Sequence, residues 1–503
     1  MMIENRRLTL NALASVLQTI LIGVTYFFLY KYLLKVLGAE KLGLWSLVAA
    51  TTSVANLANL GITSSIVKFI SANLANNNIK KAVEVIHTSL VTVGGLMLLI
   101  ALLLLSIVAV NIQHFVPPAA VAEARQLLPI ALASLILNTI GAIFLSVLDG
   151  MELIYLRAAI YIFSSILFLI LSFFIVPKFG LTGVLYAQII QGLFVLVLAI
   201  VIVYMRLSGF SFFPFLITKA TFKELFKYGL NFQIISISSL LFDPITKFCL
   251  SSFGGLTLVG YFEMASRLIM QVRSLIVSAN QAIVPLVARK NETGEVDMST
   301  FYFKTFDLIS LNAIIVFSFL NIFSPMVSIL WIGSYQPFFV NSVILLSVGW
   351  LFNIASAPAY FINMGTGDLK WNVISHIVLG LSNLILGVLL GKLFGGIAVI
   401  IGVTLSLVSS ALITILSFHK KNQIQAVTLF KKSDIIFITT AIVLVVASLM
   451  GYQVVASGSM SLVLYYTVLA FVVFIFLFLG VFKTKTLSEL YFQLPRKIFK
   501  RAV

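Results

Sequence analysis

Apolar segments of membrane-spanning length recur along the whole chain and are separated by short polar connections. About 20 consecutive apolar residues suffice for an α-helix to cross the hydrocarbon core of a bilayer. The run at residues 96–108 shows no alternation of apolar and polar positions, unlike the strand of a membrane barrel. The pattern therefore predicts fourteen membrane-spanning helices, at residues 11–34, 43–63, 88–110, 126–148, 153–176, 181–205, 229–252, 257–285, 306–323, 339–362, 371–391, 395–418, 434–455 and 460–481.

Glycine landmarks at the edges of these segments occur twice, at an almost constant offset. One set is shifted by 217 positions: Gly38-x4-Gly43-Leu44-Trp45 and Gly255-x4-Gly260-Tyr261-Phe262. In a second set, shifted by 215, a glycine precedes a Phe-Gly pair by 29 positions: Gly150 with Phe179-Gly180, and Gly365 with Phe394-Gly395. Six segments copied once are typical of transporters in which two bundles move around a shared central site.

These patterns predict an all-α integral membrane protein with about fourteen transmembrane helices. Two six-helix lobes are related by the internal repeat, and two C-terminal helices follow. The expected boundaries are an N-lobe with spans 1–6 at 1–206, a cytoplasmic linker at 207–228, a C-lobe with spans 7–12 at 229–418, spans 13–14 at 434–481, and a basic cytoplasmic tail at 482–503.

Composition supports a membrane protein, because hydrophobic residues make up 61% of the chain, charged residues 10%, and mean hydropathy is +1.13. The net charge of +17 is unevenly distributed. With a cytoplasmic N-terminus, the connections place 24 Lys and Arg residues in the cytoplasm and 6 on the opposite side. This asymmetry is the positive-inside rule, so the basic excess indicates topology rather than nucleic-acid binding. We expect the cytoplasmic (inner) membrane, with both termini cytoplasmic.

Motifs of hydrolytic enzymes and of ATP binding are absent from the sequence. Glu295 and Asp297 are close in sequence but lie in a hydrophilic connection, where a solvated turn is the better interpretation. Cys249, the single cysteine, lies in an apolar segment and is expected to be a buried core residue. We therefore expect a protein that is not an enzyme and has neither cofactor nor metal.

Polar residues of the eighth span form one stripe along its predicted helix. Glu263, Arg267 and Gln271, followed by serines and a glutamine, fall within 80° of one another at 100° per residue. Charges at membrane depth usually face water or each other, so this stripe predicts a helix lining an aqueous cavity. The alternative is a polar seam between helices, in which Glu263 and Arg267 neutralise each other.

Three further charges lie inside predicted spans. Arg273 has no acid three or four positions away, which makes it a candidate anion-binding residue, with snorkelling toward an interface as the alternative. In the seventh span Asp243 and Lys247 are four positions apart, with Pro244 between them. We interpret this pair as a gate or coupling-ion site, or else as a structural ion pair.

The corresponding spans of the first repeat carry neutral polar residues. In the second span Asn56 and Asn59 share a face with Thr52 and Thr63. Amides and hydroxyls supply the donors and acceptors that sugar hydroxyl groups require, although they also suit plain helix packing. Asn56 and Asn59 therefore join Arg267, Arg273, Lys247, Glu263 and Gln271 as candidate substrate-binding residues.

The chain resembles the Wzx-type polysaccharide flippases of the multidrug/oligosaccharidyl-lipid/polysaccharide exporter superfamily. The resemblance extends over essentially the whole chain and is carried by these segments: Leu37-Gly38-Ala39-Glu40-Lys41-Leu42-Gly43-Leu44-Trp45, Asn59-Leu60-Gly61-Ile62, Val67-Lys68-Phe69-Ile70-Ser71, Gly150, Phe179-Gly180-x2-Gly183 and Phe394-Gly395-Gly396. It implies export of undecaprenyl-pyrophosphate-linked oligosaccharide for O-antigen, capsule or exopolysaccharide. Such a substrate is anionic, which would give Arg267, Arg273 and Lys247 a role.

Other functions remain open at this point. A multidrug or cation antiporter of the same superfamily would favour acidic groups at depth, whereas basic groups outnumber them here. A lipid-II flippase shares the fourteen-span plan. An integral membrane glycan polymerase is disfavoured because the outer connections are short. The expected partners are the lipid-linked oligosaccharide and membrane lipids, with a glycan polymerase and assembly proteins as further candidates and no nucleic acid.

Overall fold

A computed structural model describes residues 2–55, 62–114, 116–211, 213, 215–278 and 298–424, together with residues 446, 465, 467, 469 and 471. Its secondary structure is helical, and those residues contain no β-strand. Asn56, Asn59, most of the predicted spans at 434–455 and 460–481, and the tail at 482–503 lie outside the described residues.

Eleven α-helices follow one another along the described part of the chain, with two short 3-10 turns between α3 and α4. Their bounds are α1 Met2–Ser53, α2 Ile62–Ala75, α3 Ile79–Asn111, α4 Val121–Gly150, α5 Ile154–Arg206, α6 Lys219–Ser278, α7 Met298–Ile332, α8 Pro337–Ala355, α9 Ala357–Thr366, α10 Lys370–Phe394 and α11 Gly396–Lys421. Nine helical stretches within the described ranges are long and apolar enough to cross a membrane. The first twelve predicted spans all lie at least partly on these helices, so the chain is a multi-pass membrane protein.

Glycines interrupt the three longest helices. Gly38 in α1, Gly180 in α5 and Gly255 in α6 have positive φ angles of 81°, 57° and 80°, which residues with a Cβ rarely adopt. Without its break, the 52-residue α1 would be about 78 Å long, far more than the roughly 30 Å of a bilayer core. Each interrupted helix is therefore long enough for two spans, and its break coincides with a landmark of the repeat. Gly395, between α10 and α11, also has a positive φ of 79°.

The chain divides into two compact units. One comprises Met1–Met264 with Leu379–Gly402, and the other comprises Ala265–Val378 with Val403–Val503. The lobe boundaries expected from the sequence stay a prediction.

In the first unit, α2, α3, α4 and α5 share a hydrophobic core that includes Ile66, Ile70, Ile86, Phe144 and Val203. Gly150 permits this packing at the end of α4, since a Cβ there would lie 2.8 Å from the Cβ of Ile70. The connection at 207–218 joins α5 to α6, which begins at Lys219, inside the predicted linker 207–228.

Candidate functional site

The helical segments that follow Gly38 and Gly255 cross in direct backbone contact. A Cβ added to Gly43 would lie 1.9 Å from the carbonyl oxygen of Leu256, and one added to Gly260 would lie 2.2 Å from that of Ala39. Only glycine fits such an approach, because the obstructing atoms are backbone. Gly43 and Gly260 occupy equivalent positions of the sequence repeat. The crossing therefore brings equivalent parts of the two repeats together.

A buried carboxylate, Glu263, lies one helical turn beyond this crossing. Its Oε1 accepts a hydrogen bond of 2.7 Å from the Tyr30 hydroxyl, and its Oε2 accepts one of 2.8 Å from the Ser46 hydroxyl. The ammonium Nζ of Lys247 lies 2.7 Å from Oε2 of Glu263 and 2.6 Å from Oδ2 of Asp243. We call these five residues the Glu263 cluster.

Burial is uneven within the Glu263 cluster. The side chains of Lys247 and Glu263 are 5% and 4% exposed, whereas that of Asp243 is 44% exposed. A buried charge is tolerated when it is paired and hydrogen-bonded, and Glu263 satisfies both conditions. The charge of Lys247 is more than balanced within the cluster, because two carboxylates contact it.

Members of the Glu263 cluster are equivalents of one another in the repeat. Ser46 and Glu263 are separated by 217 positions, the offset of the surrounding glycines. Tyr30 and Lys247 have the same separation, and Asp243 corresponds to Tyr26. The first repeat thus supplies hydroxyl groups where the second supplies two acids and a base. The two repeats thus share the backbone angles of their glycine breaks, Gly38 and Gly255, but differ in charge.

The structure brings together only some of the residues singled out in the sequence. The ion pair of Asp243 and Lys247 is present, while their role as a gate stays a prediction. Glu263 contacts Lys247, and the Arg267 side chain is exposed. Gln271 is half-buried, and its carbonyl accepts a 2.8 Å hydrogen bond from the hydroxyl of Ser274.

Tyr30 and Ser46 were missed in the sequence. Applying the 217-position offset to Lys247 and Glu263 identifies both positions. Ser46 contacts its own equivalent, Glu263, whereas Tyr30, the equivalent of Lys247, also contacts Glu263.

Arg273, near the end of α6, has a different environment in the second unit. Its guanidinium carbon lies 4.5 Å from the centroid of the Trp350 ring, and its Nη2 donates a 3.2 Å hydrogen bond to Oδ1 of Asn353. Trp350 and Asn353 are three positions apart on α8 and so share one face. Arg273 is close enough to Tyr360 and His376 to interact electrostatically with both. We call these five residues the Arg273 cluster.

Arg273 lacks an acidic counterpart within the described part of the chain. No carboxylate there is within ion-pair distance of its guanidinium, and its buried Nε has no hydrogen-bond partner there. An aromatic face and an amide hold the cation in place without neutralising it. The Arg273 cluster can therefore bind an anion, whereas the ammonium of the Glu263 cluster already contacts two carboxylates.

Comparison with known proteins gives one family match and a set of structural matches. A family described as polysaccharide biosynthesis protein matches residues 8–291. No curated protein matches the chain in sequence.

Three solved structures are similar in fold. The lipid II flippase MurJ in an inward closed conformation has a TM-score of 0.67 at 16% identity, with 94% of this chain and 99% of that chain covered. A multidrug resistance MATE family transporter of the MOP superfamily, inward-facing, has a TM-score of 0.64 at 17% identity, covering 80% and 94%. A MOP superfamily transporter from Pyrococcus furiosus has a TM-score of 0.52 at 16% identity, covering 83% and 94%. The TM-scores indicate a shared fold, and at identities this low the similarity shows the fold alone.

Proposed function

Because the chain belongs to the polysaccharide biosynthesis protein family, we propose that it exports lipid-linked oligosaccharide repeat units. The substrate would be of the undecaprenyl-pyrophosphate type, moved across the cytoplasmic membrane by alternating access for polysaccharide biosynthesis. A glycan polymerase and its assembly proteins are candidate partners of this step. The fold shared with MOP superfamily transporters is compatible with such a movement.

The observation that carries this proposal is the environment of Arg273. A guanidinium inside a membrane-spanning helix is costly unless an anion accompanies it, and the described residues offer no carboxylate within ion-pair distance of it. A diphosphate, or an acidic sugar, would supply the missing anion through the charge-assisted bonds that guanidinium forms well. Trp350 and Asn353 add an aromatic face and an amide, groups that suit the apolar faces and hydroxyls of a sugar.

The other candidate residues have different parts in this proposal. Arg267 is an exposed cation and remains a candidate contact for an anionic substrate, with Gln271 one turn further along. Lys247 is better suited to holding Glu263 and Asp243 than to binding substrate, since two acids contact it. Asn56 and Asn59 keep their proposed role in binding sugar hydroxyls.

We assign the Glu263 cluster the role of a gate. Alternating access requires that contacts between the two repeats form in one state and break in another. Glu263, from the second repeat, is held by the Tyr30 and Ser46 hydroxyls of the first. The Asp243–Lys247 pair keeps the buried carboxylate compensated while those two bonds are absent. Such a gate opens without leaving the buried Glu263 carboxylate uncompensated, because Lys247 stays beside it.

The test is a flipping assay with the purified full chain in proteoliposomes and a fluorescent undecaprenyl-pyrophosphate-linked oligosaccharide. We expect Arg273→Gln to reduce the initial rate at least tenfold and Arg273→Lys to retain part of it, because lysine keeps the charge but loses the planar fork. A matched control is Arg206→Gln, which removes an exposed cation at the end of α5. Unchanged flipping by Arg273→Gln, or transport of cationic drugs at the rate of the wild type's best glycan substrate, would contradict the proposal.

A further inference from the structure

The connection between α5 and α6 is held against α3 by one buried histidine. Nε2 of His87 donates to the carbonyl of Ser211 at 2.9 Å, and Nδ1 accepts from the backbone N–H of Leu216 at 3.0 Å. His87 is fully buried, and its ring meets Phe215 edge to face at 5.3 Å. Both ring nitrogens are therefore used, and the neutral tautomer is set by its partners.

A second set of contacts holds the far end of the same connection. Glu84 of α3 accepts hydrogen bonds from the hydroxyls of Thr218 and Thr221. The Thr218 hydroxyl also accepts a 3.2 Å bond from the backbone N–H of Thr221, which caps the start of α6. Lys81 lies 3.4 Å from Glu84 and balances its charge. The connection is thus held against α3 at two places. We call the side that carries its exposed side chains the outward side.

That outward side is apolar and aromatic. Phe213 is 76% exposed, Ile217 48% and Phe215 45%, and the rings of Phe213 and Phe215 pack edge to face at 5.1 Å. Phe222 continues the apolar side into α6. Exposed phenylalanines and aliphatic side chains are found on the apolar face of segments that lie at a membrane surface.

Exposed lysines accompany these rings on the first turns of α6. Lys219, Lys223 and Lys227 are four positions apart and therefore lie along one side of the helix, and Glu224 is the exposed acid among them. A row of cations beside protruding aromatic side chains matches the chemistry of an anionic bilayer surface, where rings enter the headgroup layer and ammonium groups meet phosphates.

We propose that Phe213, Phe215, Ile217, Phe222 and the three lysines form a docking surface for anionic lipid headgroups. The surface shares no residue with the Glu263 and Arg273 clusters and does not depend on the identity of the transported substrate. The partner is an anionic phospholipid leaflet.

The test measures the depth of a nitroxide in lipid nanodiscs that contain the full chain. The label is placed at Phe213→Cys on a Cys249→Ala background, and Ser208→Cys, an exposed position of the same connection, is the matched control. We expect the ratio of oxygen to nickel-complex accessibility at position 213 to exceed that at 208 severalfold in discs that contain phosphatidylglycerol. The ratio should fall toward the control value in phosphatidylcholine discs and in the variant with Lys219, Lys223 and Lys227 all changed to Gln.

Two outcomes would overturn the proposal. A label at position 213 that is as accessible to the nickel complex as one at 208, in anionic discs, would show that the aromatic side faces water or a soluble partner. Equal immersion in both lipids, unaffected by the lysine changes, would remove the role of anionic headgroups. Circular dichroism of each variant, compared with wild type, verifies that the helices have formed.

Discussion

Ser46 donates its hydroxyl hydrogen bond to Glu263, the residue that occupies the equivalent position of the second repeat. The contact lies beside the crossing of Gly43 and Gly260, which are also equivalents. Four residues from two distant parts of the sequence are thereby tied at the place where the repeats meet. The consequences for stability and transport can be measured residue by residue.

Removing the ammonium from the Glu263 cluster should destabilise the protein strongly. Lys247→Met leaves the buried carboxylate of Glu263 without its counter-charge, and breaking a buried pair in this way costs about 3–5 kcal/mol. Changing Glu263→Gln in the same chain removes the stranded charge and should restore most of the loss. Thermal unfolding in detergent measures both variants. A double variant no more stable than Lys247→Met would contradict the pairing.

The glycine crossing should tolerate no side chain. In Gly43→Ala the new methyl group would overlap the backbone of Leu256, so we expect a loss of about 3 kcal/mol or more, or failure to insert stably. Gly94→Ala in α3 is the control, because a Cβ there meets no atom within 4 Å and its effect should stay within about 1 kcal/mol. Membrane yield and thermal unfolding report both, and similar behaviour of the two variants would count against the close crossing.

Arg267 and Glu263 should act independently in transport. Arg267→Ala is expected to reduce glycan export strongly while the protein remains in the membrane, because it removes a cation proposed to meet the substrate. Since Glu263 already contacts Lys247, the double variant Glu263→Gln with Arg267→Gln should be at least as defective as the single one. Restored export in that double variant would show a structural pair instead and would exclude anion binding by Arg267.

An ion pair outside the spans should give a small acid-dependent contribution. The hydrogen bond from Lys421 to Asp368, 2.6 Å long, lowers the pKa of the Asp368 carboxyl below its ordinary value. A depressed pKa stabilises the folded state above the unfolded-state pKa, and that stabilisation is lost as pH falls through the folded-state pKa. Asp368→Asn should therefore lower the unfolding temperature slightly at pH 7 and leave it unchanged in strong acid, because such exposed pairs contribute about 0–1 kcal/mol. An equal effect at both pH values would contradict the assignment.

The predicted topology can be tested by labelling introduced cysteines with an impermeant thiol reagent. Cysteines introduced at Gln113 and Tyr335 lie in connections expected outside, whereas Lys421 follows a span that ends in the cytoplasm. The first two should react in intact cells and the third only after permeabilisation. The opposite pattern at any of these positions would invalidate the assigned orientation.

The spans were predictable because a bilayer imposes one requirement, a long apolar run, on every helix that crosses it. The breaks at Gly38, Gly180 and Gly255 were also visible, as landmarks of the repeat. The Asp243–Lys247 pair follows from helical spacing alone.

The rest of the candidate site depends on which helices pack together, and spacing within one helix does not specify that. Ser46 is 217 positions from Glu263, and Asn353 is 80 positions from Arg273. No local sequence pattern identifies the neighbours of Arg273, because a tryptophan and an asparagine on an apolar helix also occur where helices simply pack together.

A hydrogen bond between equivalent positions is the counterpart, within one chain, of a residue on the twofold axis of a homodimer, where each side chain meets its own copy. In a dimer of identical halves, a glutamate at this position would face a glutamate, and the two carboxylates would repel one another. Joining the halves into one polypeptide removes that restriction and permits Ser46 to face Glu263. The charge difference between the repeats thus requires halves of different sequence, and exchanging the two residues, Ser46→Glu with Glu263→Ser, would move the acid to the other half.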